Sequence, residues 1–136
     1  MEKIKVEIYW EEKNYSCGWA APDFGCILST GKTIADLKQD FESALKWHIE
    51  SMREDGEEMP QWAITGEYTI EYSLAVSAIL REAVQYTTIA ALSRVTGINQ
   101  KLLSQYANSI KKPRAAQRTR IINGLRDMCQ RVSALC

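Results

Sequence analysis

Leu92-Ser93-Arg94-Val95-Thr96-Gly97-Ile98-Asn99-Gln100-Lys101-Leu102-Leu103-Ser104-Gln105-Tyr106 is the stretch on which the reading of this 136-residue chain turns. Gly97 can adopt the left-handed conformation that ends one helix and allows a tight turn. Asn99 is a good N-cap for the helix that follows. Ser93, four positions before Gly97, is small enough for two helices to cross there. Leu92, Ile98, Leu103 and Tyr106 fall where a shared core needs apolar side chains. The spacing predicts one helix over 88–95 and a second starting at Asn99 and ending near Asn108.

The outer side of the second helix carries Asn99, Gln100, Lys101, Ser104, Gln105 and Asn108. Gln and Asn amides pair with adenine edges in the major groove, and the N-terminal residues of such a helix contact bases. Gln100 and Lys101 are therefore the first candidates for base reading. Lys111, Lys112 and Arg114 follow directly and suit phosphates, which position a protein without specifying sequence. Duplex DNA is the expected partner.

Downstream, Lys111-Lys112-Pro113 interrupts the pattern. A last helix then carries Ile121, Ile122, Leu125, Met128, Cys129 and Val132 on one stripe. Upstream, Leu74–Gln85 is helical in pattern and rich in apolar residues, enough for a small core and a subunit contact. A homodimer or higher oligomer is expected, since helix-turn-helix dimers read paired half-sites. Before Ser73 the periodicity changes. Ile4, Val6, Ile8 and Trp10 alternate with Lys3, Lys5 and Glu7, the period-two pattern of a half-buried strand. Glu11–Asn14 reads as a polar turn, Tyr15–Ala21 as a second strand and Cys26–Ser29 as a third. Thr33-Ile34-Ala35-Asp36 has the form of a capping box. Leu37, Phe41, Ala44, Leu45, Ile49 and Met52 keep helical spacing as far as Asp55-Gly56. Pro60 opens a connection, and Glu67–Tyr72 alternates as a last strand. The fold class is α+β: a β-β-β-α-β module over 1–72, then an all-α domain over 73–136.

Charge divides in the same place. Residues 1–66 hold 13 acids and 7 bases, and residues 67–136 hold 4 acids and 10 bases. A neutral total thus conceals an acidic half suited to a basic protein and a basic half suited to a polyanion. No apolar run approaches the roughly 18 residues that suggest a membrane span, and no signal peptide opens the chain, so a cytoplasmic location with no membrane partner is the default. Cys17, Cys26, Cys129 and Cys136 form no C-x-x-C pair and are expected as free thiols. No metal and no cofactor is expected.

Residues 88–125 resemble the Cro/repressor-type (XRE-like) helix-turn-helix. Gly97-Ile98-Asn99-Gln100-Lys101-Leu102-Leu103-Ser104 is similar to that family's turn and recognition helix, and Lys112-Pro113 with Ile121-Ile122-Leu125 to its downstream helix. Residues 3–66 resemble the HicB antitoxin family. The marks are the opening hairpin, Pro22-Asp23-Phe24-Gly25-Cys26, Gly31-Lys32-Thr33 opening the helix, Glu54-Asp55-Gly56-Glu57, and Pro60. That resemblance implies a partial RNase H-like fold and a small basic RNA-cleaving toxin, HicA, as partner. The combined architecture is similar to antitoxins that repress their own operon. A regulator without a toxin partner is the alternative. Glu11, Glu12, Asp23, Phe24 and Trp47 are the candidate partner-binding residues.

No enzyme is expected. Glu7 is the only acid inside the first strand, and the second strand has none. A metal-dependent nuclease wants several converging carboxylates. His48 shares a helix face with Leu45 and Met52, which suits a hydrogen-bonded core histidine better than a general base.

Overall fold

The computed structural model describes residues 1–136. The chain forms two compact units, Met1–Ala75 and Val76–Cys136.

The first unit is a mixed four-stranded sheet. β1 (Glu2–Glu11), β2 (Asn14–Ala21) and β3 (Gly25–Gly31) run antiparallel, and β4 (Tyr68–Leu74) returns parallel to β1, giving the order β3-β2-β1-β4. A parallel return needs a crossover, which α1 (Ile34–Glu54) and α2 (Gln61–Thr65) supply. Alternation in β1 decides its facing: Ile4, Val6 and Ile8 are buried while Lys3, Lys5 and Glu7 are exposed. The β1–β2 turn is tighter than the four polar residues suggest. Glu11 pairs with Asn14, leaving Glu12 (φ 54°) and Lys13 to make the turn.

The Thr33 hydroxyl caps α1 by accepting from the Asp36 amide at 3.0 Å. Leu37, Phe41, Leu45, Ile49 and Met52 bury one stripe of α1 against the sheet. β3 comes so close to α1 that a Cβ on Gly31 would lie 2.5 Å from the Leu37 nitrogen. α2 replaces part of the connection expected after Pro60. Five residues show no periodicity to read, and its signals are Pro60 before it and Gly66 (φ 75°) after it. β4 runs on to Leu74, and the Ala75 amide donates to the Ile8 carbonyl at 2.8 Å. The first unit therefore reaches Ala75 rather than Tyr72.

The second unit contains α3 (Val76–Ala83), α4 (Ile89–Thr96), α5 (Gln100–Ala107) and α6 (Ala115–Ala134). Val76, Leu80, Leu92, Ile98, Leu103, Tyr106 and Ile121 form its core. α3 contributes Val76 and Leu80 to that core, with Ala83 packed partly against it. The α6 stripe is shorter than its sequence suggests. Ile121 is fully buried, but Cys129 and Val132 are exposed, because the helix runs on past the core. The close contact is instead at Gly124, where a Cβ would meet the Thr96 methyl at 2.6 Å. No helix is long and apolar enough to cross a membrane.

Candidate nucleic-acid interface

The α4–α5 corner is held by three local devices. The Thr88 hydroxyl accepts from the Ala91 amide at 3.0 Å and starts α4. Gly97, at φ 71°, ends α4 by donating its amide to the Ser93 carbonyl at 2.9 Å. Buried Thr96 locks the corner, donating its hydroxyl to the Leu92 carbonyl (2.7 Å) and accepting from the Ile98 amide (3.2 Å). Each device satisfies a backbone group that a helix end leaves open.

The corner sorts the sequence candidates. Asn99 is exposed, but its Oδ1 accepts from the Leu102 amide at 2.8 Å, so it works as the cap of α5. Gln100 and Lys101 are exposed on the first turn of α5. Ser104 and Gln105 are half-buried. Asn108 is engaged at both ends of its amide: Nδ2 donates to the Ser104 carbonyl at 2.9 Å, and Oδ1 accepts from Arg81 Nη2 at 3.4 Å. Ser104 and Asn108 also line a shallow cavity of about 190 Å³ with Leu80, Arg81 and Val84, which turns them toward α3. Ser109 (φ 58°) then turns the chain, and Lys111, Lys112 and Arg114 stand exposed between α5 and α6.

Two further cations belong to this surface. Arg94 is exposed in the last turn of α4. Arg120, exposed on α6, brings Nη2 to 2.7 Å from the point a Cβ on Gly97 would occupy. The sequence signals Arg120 only as one base in a basic segment. Which turn of α6 reaches back to Gly97 depends on how α6 crosses α4, and that is not local information. Arg120 thus reaches the turn from α6, while Arg94 is exposed in the last turn of α4 and Gln100 and Lys101 in the first turn of α5.

In the first unit Glu11 and Glu12 are exposed at the β1–β2 turn, Asp23 is exposed at φ 59°, and Trp47 is 72% exposed. Phe24 is a correction: it is only 3% exposed and belongs to the core. Its ring lies 4.6 Å from His48, 5.1 Å from Trp62 and 5.7 Å from Trp19, centroid to centroid. His48 Nε2 hydrogen-bonds the Phe24 carbonyl, which ties the loop after β2 to α1. Neighbouring Pro22 and Asp23 look solvent-facing in sequence, but the aromatic cluster draws Phe24 inward.

The shifted titrations belong to residues of the first unit. Burial, then the Asp40 charge, pushes the Cys17 thiol up to about 11. Burial, then Glu42, raises Tyr72 well above the ordinary phenol range. All four cysteines are free, and no three His, Cys, Asp or Glu side chains converge as a metal site requires.

No family model matches the chain, and no curated protein or solved structure matches it.

Proposed function

We propose that the second unit is a helix-turn-helix of the Cro/repressor type that binds duplex DNA, with α5 as its recognition helix. One observation carries the reading. Gln100 and Lys101 are exposed on the first turn of a capped helix, after a turn that Arg120 reaches and that follows the exposed Arg94 in the last turn of α4. An amide side chain supplies bidentate contacts to a base edge, and the surrounding cations neutralise phosphates. The reading assigns base choice to Gln100 and Lys101, helix positioning to Asn99, and backbone grip to Arg94, Lys111, Lys112, Arg114 and Arg120.

We further propose that the first unit is a HicB-like, partial RNase H-like module that holds a small basic RNA-cleaving protein, making the chain an antitoxin that represses its own operon. The β-β-β-α-β order, extended here by the short α2, is the observation that supports this reading. Excess acid in residues 1–66 and the exposed Glu11, Glu12, Asp23 and Trp47 offer a complementary surface. Toxin occupancy and DNA affinity would then be linked reciprocally.

The test has two arms. Purified chain is titrated onto the duplex upstream of its own gene and onto a scrambled duplex, and a discrete footprint on the first alone is expected. Equal retention of both removes sequence-specific regulation. The chain is also co-purified from its native operon. Recovery of a small basic protein is expected, and a footprint without such a partner favours a regulator that has no toxin.

A further inference from the structure

β4 is the last strand on its side of the sheet. Two end bonds fix which of its backbone groups face β1. The Glu2 amide donates to the Glu67 carbonyl at 3.3 Å, and the Ala75 amide to the Ile8 carbonyl at 2.8 Å. A parallel ladder uses every second residue of a strand, so Thr69, Glu71 and Ser73 bond to β1. The amides and carbonyls of Tyr68, Ile70 and Tyr72 point away from the sheet. Natural edge strands are usually blunted by proline, lysine or a bulge. Tyr68-Thr69-Ile70-Glu71-Tyr72-Ser73-Leu74 has none of these, and its one charge, Glu71, is paired to Lys3 at 3.5 Å.

The inner face beside this edge is only partly covered. α1 is set over β3, where the Ser29 hydroxyl donates to the Leu37 carbonyl at 3.4 Å and a Cβ on Gly31 would touch the Leu37 backbone. Ile4, Val6 and Ile8 are buried, but Tyr68, Ile70 and Tyr72 on the same face are half-buried. A cavity of about 340 Å³ remains between α1 and β4, lined by Glu42, Lys46, Tyr68 and Ile70. Glu42 and Lys46 have the spacing of a helical ion pair. The Tyr72 hydroxyl instead donates to the Glu42 carboxylate, and Lys46 forms no ion pair. Lys38 Nζ lies 4.9 Å from the centre of the Tyr72 ring.

We propose that β4 and this cavity are the docking site for an extended segment of another protein, which adds a fifth strand to the sheet and brings an acidic side chain to Lys46. In such an addition the main-chain bonds supply affinity and alternate side chains supply specificity. Side chains directly opposite Tyr68, Ile70 and Tyr72 project on the same face as those residues, which is the face of the cavity. Glu42 is engaged by Tyr72, so Lys46 and Lys38 set the sign of the charge that fits. A second copy of β4 is the wrong occupant. Pairing the two edges would bring Lys38 and Lys46 of one copy toward the same lysines of the other. The inference goes beyond the DNA and toxin readings and uses neither: the residues assigned to the toxin, Glu11, Glu12, Asp23 and Trp47, do not line this cavity.

Hydrogen exchange and peptide titration of the full chain test this. Without peptide, the Ile70 and Tyr72 amides should exchange quickly and those of Glu71 and Ser73 slowly. The probe is acetyl-Thr-Val-Thr-Glu-Thr-Val-Thr-amide, which presents valine, glutamate and valine on one face. Titrated to about 5 mM, it should bind with a Kd of roughly 0.1–1 mM, shift the Tyr68, Ile70 and Tyr72 amide signals, and slow exchange at Ile70 and Tyr72. Lysine in place of the glutamate should weaken binding by about tenfold. Lys46 is exposed, so Lys46→Glu leaves the fold intact, and it should reverse that preference. Whichever way the peptide runs, only one alternate set of its amides faces β4. N-methylation of that set should abolish binding, and N-methylation of the other set should spare it. The proposal is overturned by the absence of shifts along β4, by a preference indifferent to Lys46→Glu, or by equal behaviour of the two methylated peptides. Slow exchange of Ile70 and Tyr72 without peptide also overturns it, and a dependence of that slowing on protein concentration would give the edge to a second copy.

Discussion

Arg120 stands over Gly97, its Nη2 2.7 Å from the point where a Cβ on that glycine would sit. A basic side chain from α6 is thereby brought to the turn that precedes α5. If the surface around this turn meets phosphate, Arg120→Ala should weaken binding to every duplex alike and reduce the salt slope by about one, and Lys112→Ala should do the same. The measurement is the binding constant across a salt series on specific and scrambled duplexes. An unaltered slope removes the residue from the phosphate set.

Gly97 itself is held at φ 71°, where a Cβ is strained whatever space surrounds it. The Arg120 tip is flexible and can yield, so the backbone term decides the cost. Gly97→Ala should destabilise the chain by about 1–2 kcal/mol, while Gly97→Asn should cost less, because Asn visits the left-handed region more readily. Urea unfolding of both variants checks the ranking. Equal losses would mean that contact with Arg120, not the backbone, sets the requirement for glycine.

Gln100→Ala should relax sequence choice at one base pair, with a loss of roughly 1–3 kcal/mol on the preferred site and little on others. Asn108→Ala should behave differently. Its amide is engaged by Arg81 and the Ser104 carbonyl, so the cost should appear in stability, about 1 kcal/mol, with base preference intact. Selection from a randomised operator library separates the two. A changed base preference for Asn108→Ala would return that residue to the reading face.

The contrast between Gln100 and Asn108 marks what the sequence could convey. Caps and turns are local, so Thr33, Gly97 and Asn99 were legible from residue type and spacing, as was the buried face of Ile4, Val6 and Ile8. The exposed side of α5 was legible only as a set. Which of its members turn toward α3 is decided by the cavity shared with Leu80 and Arg81, a tertiary fact. Phe24 failed for the same reason, since the rings of Trp62 and His48 reach it from distant segments and join Trp19 of the preceding strand. α2 was too short for periodicity, and the Gly124–Thr96 crossing leaves no trace in a pattern of apolar residues.

That crossing gives a stringent packing test. A Cβ on Gly124 would meet the Thr96 methyl at 2.6 Å. The threonine cannot rotate away without losing its hydroxyl bonds to the Leu92 carbonyl and the Ile98 amide. Ala is favoured over Gly in a helix interior by about 1 kcal/mol, but overpacking typically costs about 1–3 kcal/mol, and here the clash has no flexible partner to absorb it. Gly124→Ala should therefore destabilise. Thr96→Ser removes the methyl and keeps the hydroxyl, so the Gly124→Ala/Thr96→Ser double variant should recover stability relative to Gly124→Ala. A double variant no better than the single one would place the conflict elsewhere.

The Cys17 thiol supplies a pH dependence with a definite sign. It is buried, and burial followed by the Asp40 charge raises it to about 11 from an ordinary 9.0. The folded chain keeps this proton longer than the unfolded chain does. Stability from the neutral thiol is therefore complete below about pH 9 and is lost as pH rises through about 11, by an amount on the order of 2 kcal/mol. Tyr9 and Tyr72, also raised by burial, act in the same direction at higher pH. Cys17→Ala leaves a small cavity and lowers stability at every pH, but it should flatten the fall between about pH 8.5 and 10.5. Urea midpoints across that range compare the two slopes. Parallel slopes would assign the alkaline loss to the tyrosines and to surface charge instead of the thiol.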